Sequence, residues 1–562
     1  LKHLLTILFI VLLLSLPFGL FGQNRVWNGS QSDVWGDPLN WTPNNVPDTP
    51  AENAVVNTPA LPHYPDTDDD YSVGDVTLSA NGGSIKNSGD TLTVNGDLLI
   101  NNAAANFNNS GILVIVGDFT ITSGTINNTG TVRFGGTTAL TSNGQNLGNI
   151  VMTAGSSVTL QDTLTCNNLS IQTGASLDTA GQDLTINGAF NNGGTLYRRG
   201  VEAVNKTDSD SGTVVYRTTG GVIQDYGSPD YYSLSIASAN FSLGAALELN
   251  ESFSISGGSL DVTGANHRIT MAGSWTNTVG PAAFIEQNGA VEFTDTGSIS
   301  TAETFYDLVK STGGTTSLGA NITVSHDLAV NGGILDAGNH TITVGHSWNN
   351  TVGSAAFDEG TGTVVFNGDG GTISSENFNN LQKSGGGTTT TLSASISVSG
   401  SLTLLSGELD ASSKAITVGR NWSKAGGAIY TPGASGTVTF DNAGLATTVS
   451  GSTAFQNLTC STGGKIIRFT AGSTQTVNGS FIIQGQIGNL ITLQSTVAGS
   501  QWTVDNVNDL ENVTYVAVRD SIAASNNITA TTSKDNGNNV NWTFQSAVVT
   551  WTGAVDTDWS KG

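Results

Sequence analysis

Three stretches of the chain repeat one another almost without gaps: GGSLDVTGANHRITMAGSW at 257–275, GGILDAGNHTITVGHSW at 332–348 and SGELDASSKAITVGRNW at 406–422. Their leucines, Leu260, Leu335 and Leu409, stand 75 and 74 residues apart, and their tryptophans, Trp275, Trp348 and Trp422, 73 and 74 apart. Each tryptophan is followed by a strand-like run ending at Phe293, Phe366 or Phe440. Each module then closes on Phe305-Tyr-Asp-Leu308, Phe378-Asn-Asn-Leu381 or Phe455-Gln-Asn-Leu458. Weaker copies lie upstream, around Leu177-Asp178, Phe190 and Tyr216 with Tyr231-Tyr-Ser-Leu234, and at Leu147-Gly-Asn-Ile150, so the repeat spans roughly 75–490. A fixed period of this kind is the mark of a stacked repeat architecture, in which each unit buries its apolar face against the next.

Within a module the local period is two. Ile322-x-Val324, Leu328-x-Val330 and Ile342-x-Val344 alternate apolar and polar residues over short runs. Between them stand Asn331-Gly332-Gly333 and Asp336-Ala-Gly338, turn formers that accept positive φ at little cost. No long stretch carries a helical period. An all-β chain of 74-residue modules divides naturally into about three coils of about 24 residues each, a β-solenoid. A string of separate small β-sandwiches is the alternative, but it calls for linkers, and none occurs between Gly257 and Phe440. The solenoid predicts that Leu260, Leu335 and Leu409 point inward at matching corners. It also predicts that Cys166 and Cys460, far apart along a linear stack, are buried free thiols beyond disulfide reach.

The two ends read differently. Lys2 and His3 precede an apolar run from Leu4 to Leu20, broken at Pro17 and followed by Gly22 and Gln23. This is the order of a secretory signal peptide over 1–22, and the run is short for an uncleaved membrane anchor. Residues 23–74 hold a tryptophan-spaced cap: Trp27, Trp35 and Trp41. Residues 75–500 form the solenoid, and 501–546, with Val513 to Val518 and Trp542, form a closing coil. Trp551 and Trp559 repeat the spacing of Trp27 and Trp35, so 547–562 reads as the start of a second, truncated unit with little to pack against.

The tryptophan spacing, the apolar-x-apolar strands with Asn-Gly turns, and the segment closing on Trp542 resemble those of large secreted bacterial surface proteins. These are the filamentous-haemagglutinin-like adhesins and autotransporter passenger domains. The resemblance implies a right-handed parallel β-helix and an adhesive or structural role at the cell surface. It carries no catalytic residues with it.

Charge narrows the partners. The formal net charge is -25, and no run of Lys or Arg follows the leader. Nucleic acid and anionic membrane surfaces both demand such cations, so neither is an expected partner, and no later segment is long enough to insert in a membrane. Glycans or surface proteins of a host or matrix remain the expected partners.

A search for chemistry finds no G-x-S-x-G, H-E-x-x-H or P-loop, and neither tripeptide of polygalacturonase-like sites. Asp178, Asp261, Asp336 and Asp410 follow the module leucine each time, which fits a turn-closing side chain better than a unique acid. His267 and His340 share a repeat position that Ser413-Lys414 occupies in the third module, and His346 aligns with Arg420. Neither alignment favours a catalytic or metal-ligating histidine. Asp66, Asp68 and Asp70 have the alternation of a hard-cation loop, so calcium binding is weighed there against a solvated turn. Trp27, Trp35 and Trp41 are weighed as sugar-stacking rings against a buried cap. The expected function is a non-catalytic surface solenoid without a cofactor; the alternatives are a carbohydrate-binding repeat protein and, last, a polysaccharide lyase or hydrolase on a β-helix.

Overall fold

The computed structural model describes residues 22–545, so the leader read over 1–22, all but its last residue, and the truncated unit read over 547–562 lie outside the described residues. The described chain is built of short strands that pair in parallel with strands one coil away, which makes it a β-solenoid. Its described residues divide into two compact units, one up to residue 261 and one from residue 262.

In the first unit one face stacks Leu92 on Leu113, then Val132, Ile150, Leu169 and Phe190, at steps of 21, 19, 18, 19 and 21 residues. In the second, Ile322, Ile342, Val364, Leu381, Leu402 and Trp422 stack at steps of 20, 22, 17, 21 and 20. The reason is the two-residue alternation: in a strand such as Thr341–Val344, Ile342 and Val344 are buried and the threonines face outward. Buried aliphatic rows then lie about 4.8 Å apart between coils and stabilise the stack by about 25 cal/mol per Å² of apolar surface removed from water.

Coils are therefore about twenty residues long, shorter than the expected 24, and the module relates to them in an unexpected way. From Trp275–Asn277 to Trp348–Asn350, and again to Trp422–Lys424, the chain advances by eleven strands. Through the repeats of the second unit strands pair with the third one after them, so a coil has three strands and a module spans three and two-thirds coils. Equivalent residues thus move to a neighbouring face with each module. Trp275 stacks on Ile299, Trp348 between Leu328 and Ile373, and Trp422 between Leu402 and Val449, in three different rows. Leu260, Leu335 and Leu409 do point inward, all buried. Leu335 and Leu409, however, sit in different rows, paired with Phe357 and Tyr430, which corrects the expectation of matching corners.

Stacking extends over both flanking segments. Gln23–Trp27 already runs parallel to Glu52–Val56, while Trp27 also pairs antiparallel with Trp41. At the other end Ile528–Thr531 pairs with Trp542–Gln545. The glycines that precede each module leucine have a steric cause. Gly258, Gly333 and Gly407 have φ of 72°, 64° and 72°. A Cβ there would lie 1.6, 2.3 and 2.4 Å from the carbonyl oxygens of Ala239, Thr312 and Gly385 in the preceding coil.

Ladders and sets of buried polar groups accompany the aliphatic rows. In the first unit Thr67, Asn87, Asn109 and Asn128 occupy successive coils, and the hydroxyl or amide of each contacts the next amide at 2.7 Å. In the second unit a glutamate enters the core beside each of the first two module tryptophans. Trp275 Nε1 and Asn277 Nδ2 donate to Glu303 Oε2 at 2.8 and 2.9 Å, and Trp348 Nε1 and Asn350 Nδ2 donate to Glu376 Oε2 at 2.9 and 2.8 Å. Burial pushes both carboxyls above their ordinary range, while these donors and a backbone N–H pull them back. In the third module Thr453 accepts from Trp422 instead, at 3.1 Å.

Candidate functional site

Trp27, Trp35 and Trp41 are fully buried. Their rings meet edge to face at 4.9 Å, Trp27 on Trp41 and Trp35 on Trp41. Each indole N–H is taken up by a backbone carbonyl, of His63, Pro47 and Trp35 respectively. No ring face is left for a sugar, so the stacking reading of these residues gives way to the buried cap.

The carboxylates of Asp66, Asp68 and Asp70 serve separate turns. Ser88 donates to Asp66 at 2.6 Å, Gly36 and Tyr71 donate to Asp68 at 3.0 and 2.8 Å, and Thr91 donates to Asp70 at 2.7 Å. They do not converge on a cation cage, because each hydrogen-bonds toward a different stretch of chain. The recurring module aspartates behave as turn closers: Asp178, Asp336 and Asp410 each accept the N–H two residues on, from Ala180, Gly338 and Ser412, all at 2.8 Å. Cys166 and Cys460 are buried free thiols, and burial pushes that of Cys166 up to about 12, which removes it from nucleophilic chemistry at neutral pH.

Two concavities on the outer surface of the described residues have the size of a ligand site. In the first unit a pocket of about 500 Å³ lies over Arg198, whose side chain is buried. Its guanidinium is consumed by Glu202 Oε1 at 3.3 Å, Gln224 Oε1 at 2.7 Å and Tyr226 at 2.8 Å, and it lies 5.1 Å from the centre of the Tyr216 ring. Its rim carries the exposed Val201, Val222 and Asp225. With each nitrogen of the Arg198 guanidinium engaged in this network, the arrangement has the character of a structural plug.

The second concavity, about 400 Å³ in the second unit, runs across successive coils. Asn377, Ser397 and Thr417 are the outward residues of three stacked strands, paired in register. Glu359 and Asp441 flank them, and no Lys or Arg lines the groove. Short hydroxyl and amide groups at coil spacing offer hydrogen bonds to a neutral polyhydroxylated ligand. Two carboxylates without a cation repel an acidic one.

One cluster escapes a reading by module. Tyr306, His326 and His346 stack on an outer corner at 4.8 and 4.6 Å, with ring planes 12° and 5° apart. His326 Nδ1 lies 2.8 Å from Asp307 Oδ1, and His346 Nδ1 lies 2.6 Å from Asp327 Oδ1. The signal in the sequence is Tyr306-Asp307, His326-Asp327 and His346-Ser347 at a spacing of 20, the length of one coil. Alignment at the 74-residue module instead sets His346 against Arg420 and hides it. Among the described residues, His326, Asp327 and His346 are the one group of His, Cys, Asp or Glu side chains placed to share a metal ion. No helix among the described residues is long and apolar enough to cross a membrane. No protein-family model, curated protein or solved structure matches the chain.

Proposed function

We propose that the chain is an exported structural and adhesive solenoid of the cell surface, of the filamentous-haemagglutinin-like or autotransporter-passenger-like kind, which catalyses no reaction. The observation that carries this reading is the division of labour along each strand. The side chains that recur from module to module, such as Trp348, Phe378 and Leu409, are buried, whereas outward positions hold Ser, Thr and Asn. A chain organised in this way spends its repeated residues on rigidity and offers a long, regular polar surface. The leader expected over 1–22 supplies export, and the net charge of -25 keeps nucleic acid off that surface.

A second reading, glycan binding, is favoured by the groove of Asn377, Ser397 and Thr417 rather than by the capping tryptophans. Both readings are tested by applying the full chain to immobilised neutral and acidic polysaccharides and to extracellular-matrix proteins. Retention without release of reducing or unsaturated sugar ends is expected, with neutral glycans held better than acidic ones. Release of such ends overturns the non-catalytic reading, and retention on none of the surfaces overturns the adhesive one. Thr417→Arg, which fills the groove with a long cation, is expected to weaken glycan retention about tenfold; unchanged retention removes the groove from the account.

A further inference from the structure

We infer that His326, Asp327 and His346 form a binding site for one divalent transition-metal ion of the zinc, nickel or copper class. The coil stack positions the three residues. His326 and His346 each follow a strand, Ile322–Val324 and Thr341–Val344, which are paired in register. The His326 N–H donates to the Tyr306 carbonyl and the His346 N–H to the His326 carbonyl, both at 2.9 Å. Backbone pairing therefore fixes the spacing of the two rings, which stack in line with Tyr306 in the metal-free chain.

Asp327 sits between the two Nδ1 edges. Its Oδ1 is 2.6 Å from Nδ1 of His346 and accepts the Ser347 N–H at 2.9 Å, while its Oδ2 is 3.6 Å from Nδ1 of His326, too long for a hydrogen bond. One oxygen thus faces the second imidazole without bonding it. Asp307 adds a further carboxylate 2.8 Å from His326 Nδ1, and its Oδ1 also accepts the Asp327 N–H at 3.0 Å. Ligand atoms of His326, Asp327 and His346 lie within 4.8 Å of one another. Metal–nitrogen bonds of about 2.0–2.1 Å in a tetrahedral site bring ligand atoms to about 3.3 Å, and all these side chains are between 30% and 41% exposed, free to rotate inward by that amount.

The ligand set selects the ion. Two imidazoles and a carboxylate suit zinc, nickel and cupric ions, whereas calcium and magnesium require mainly oxygen ligands. Coordination through Nδ1 requires the neutral tautomer with its proton on Nε2, so any proton lying between Nδ1 and a carboxylate leaves to Nε2 or to water as the metal binds. Water completes the coordination on the exposed side.

The test is titration of the untagged full chain, stripped with a chelator, with ZnCl2 by calorimetry, followed by Co(II) as a spectroscopic probe. One saturable equivalent is expected, with a visible Co(II) band of four-coordinate intensity. His326→Ala and His346→Ala should each weaken binding about tenfold or more, as should the size-conserving His346→Gln, while His340→Ala, at the opposite end of the strand Thr341–Val344, leaves it unchanged. Circular dichroism of the metal-free variants checks that they fold. Absence of saturable Zn(II) uptake overturns the proposal, and so does uptake that persists in the His326→Ala/His346→Ala double variant.

Discussion

In residues 22–261 a ladder of amides stacks like upon like, Asn87 on Asn109 on Asn128, whereas in 262–545 closed sets of unlike partners, indole, amide and carboxylate, stand in the first two modules. Both arrangements solve one problem, the cost of a buried polar group without a partner. They differ in reach. An amide ladder shares its hydrogen bonds along the coil axis, so each rung depends on its neighbours. A Trp–Asn–Glu set is complete within its own module and can be exchanged locally. The third module shows this, because Thr453 replaces the glutamate and Lys424 stands where the asparagine would be.

The largest effect expected of this contrast is at Trp348, which is fully buried and packed at 4.6 Å on Phe357 and 5.5 Å on Phe378. Trp348→Ala should cost about 3–5 kcal/mol, because it opens a cavity and leaves Glu376 with one donor fewer. Urea denaturation measures the loss, and hydrogen exchange locates it: protection should fall in 341–398 and hold in 84–134. An equal fall in both stretches would show that the module is not a self-contained unit.

Much of this was legible in the sequence. Alternation of period two gave the inward aliphatic rows, and the recurring Leu, Trp and Phe gave the buried set. The length of a coil was not legible, because eleven strands is not a multiple of three and the module length therefore hides the turn. The same arithmetic concealed the Tyr306–His326–His346 corner, whose period is the coil and not the module. Asn87 and Asn109 were hidden for a different reason. Asparagine beside glycine and serine signals a turn, and only register with Asn128 one coil further on turns it into a core residue. The tryptophans of the cap were ambiguous for want of a partner: burial of Trp27 depends on Trp41 and on the carbonyl of His63, 36 residues away.

A smaller effect, but a sharper discriminator, is coupling between substitutions. Asn87→Ala and Asn109→Ala remove adjacent rungs of one ladder, so their costs of about 1–3 kcal/mol each should not add, with an interaction energy of about 0.5 kcal/mol or more. Asn277→Ala and Asn350→Ala remove the same role from two closed sets. Their costs should add to within about 0.5 kcal/mol. Double-mutant cycles by chemical denaturation read both numbers. Additivity in the ladder, or strong coupling between Asn277 and Asn350, would reverse the distinction drawn between the units.

The smallest expected effect concerns cations that the second unit buries without carboxylate partners. Lys383, in the strand Asn380–Lys383, donates from Nζ to the Gly368 carbonyl at 2.9 Å and to the Thr388 hydroxyl at 2.7 Å. Lys310 holds the equivalent place one module earlier and donates to the carbonyls of Thr312 and Gly313. In the third module the position is Cys460, and Lys465 brings its ammonium to the carbonyls of Gly419, Asn442 and Leu445. Burial lowers all three lysines, Lys383 from the ordinary 10.5 to about 8, with Asp369 opposing the shift. Between those two values the unfolded chain holds a proton that the folded chain has released, so stability contributed at Lys383 rises with pH through that window. The buried thiol of Cys166 works in the opposite sense, since burial pushes it up from 9.0 to about 12 and an unfolded thiol ionises first. Comparing wild type with Lys383→Met cancels that contribution. The wild-type thermal midpoint should therefore rise relative to the Lys383→Met variant between pH 7.5 and pH 10, over and above any constant difference from the lost hydrogen bonds. A difference that stays flat across that range would mean that Gly368 and Thr388 solvate the ammonium as well as water does.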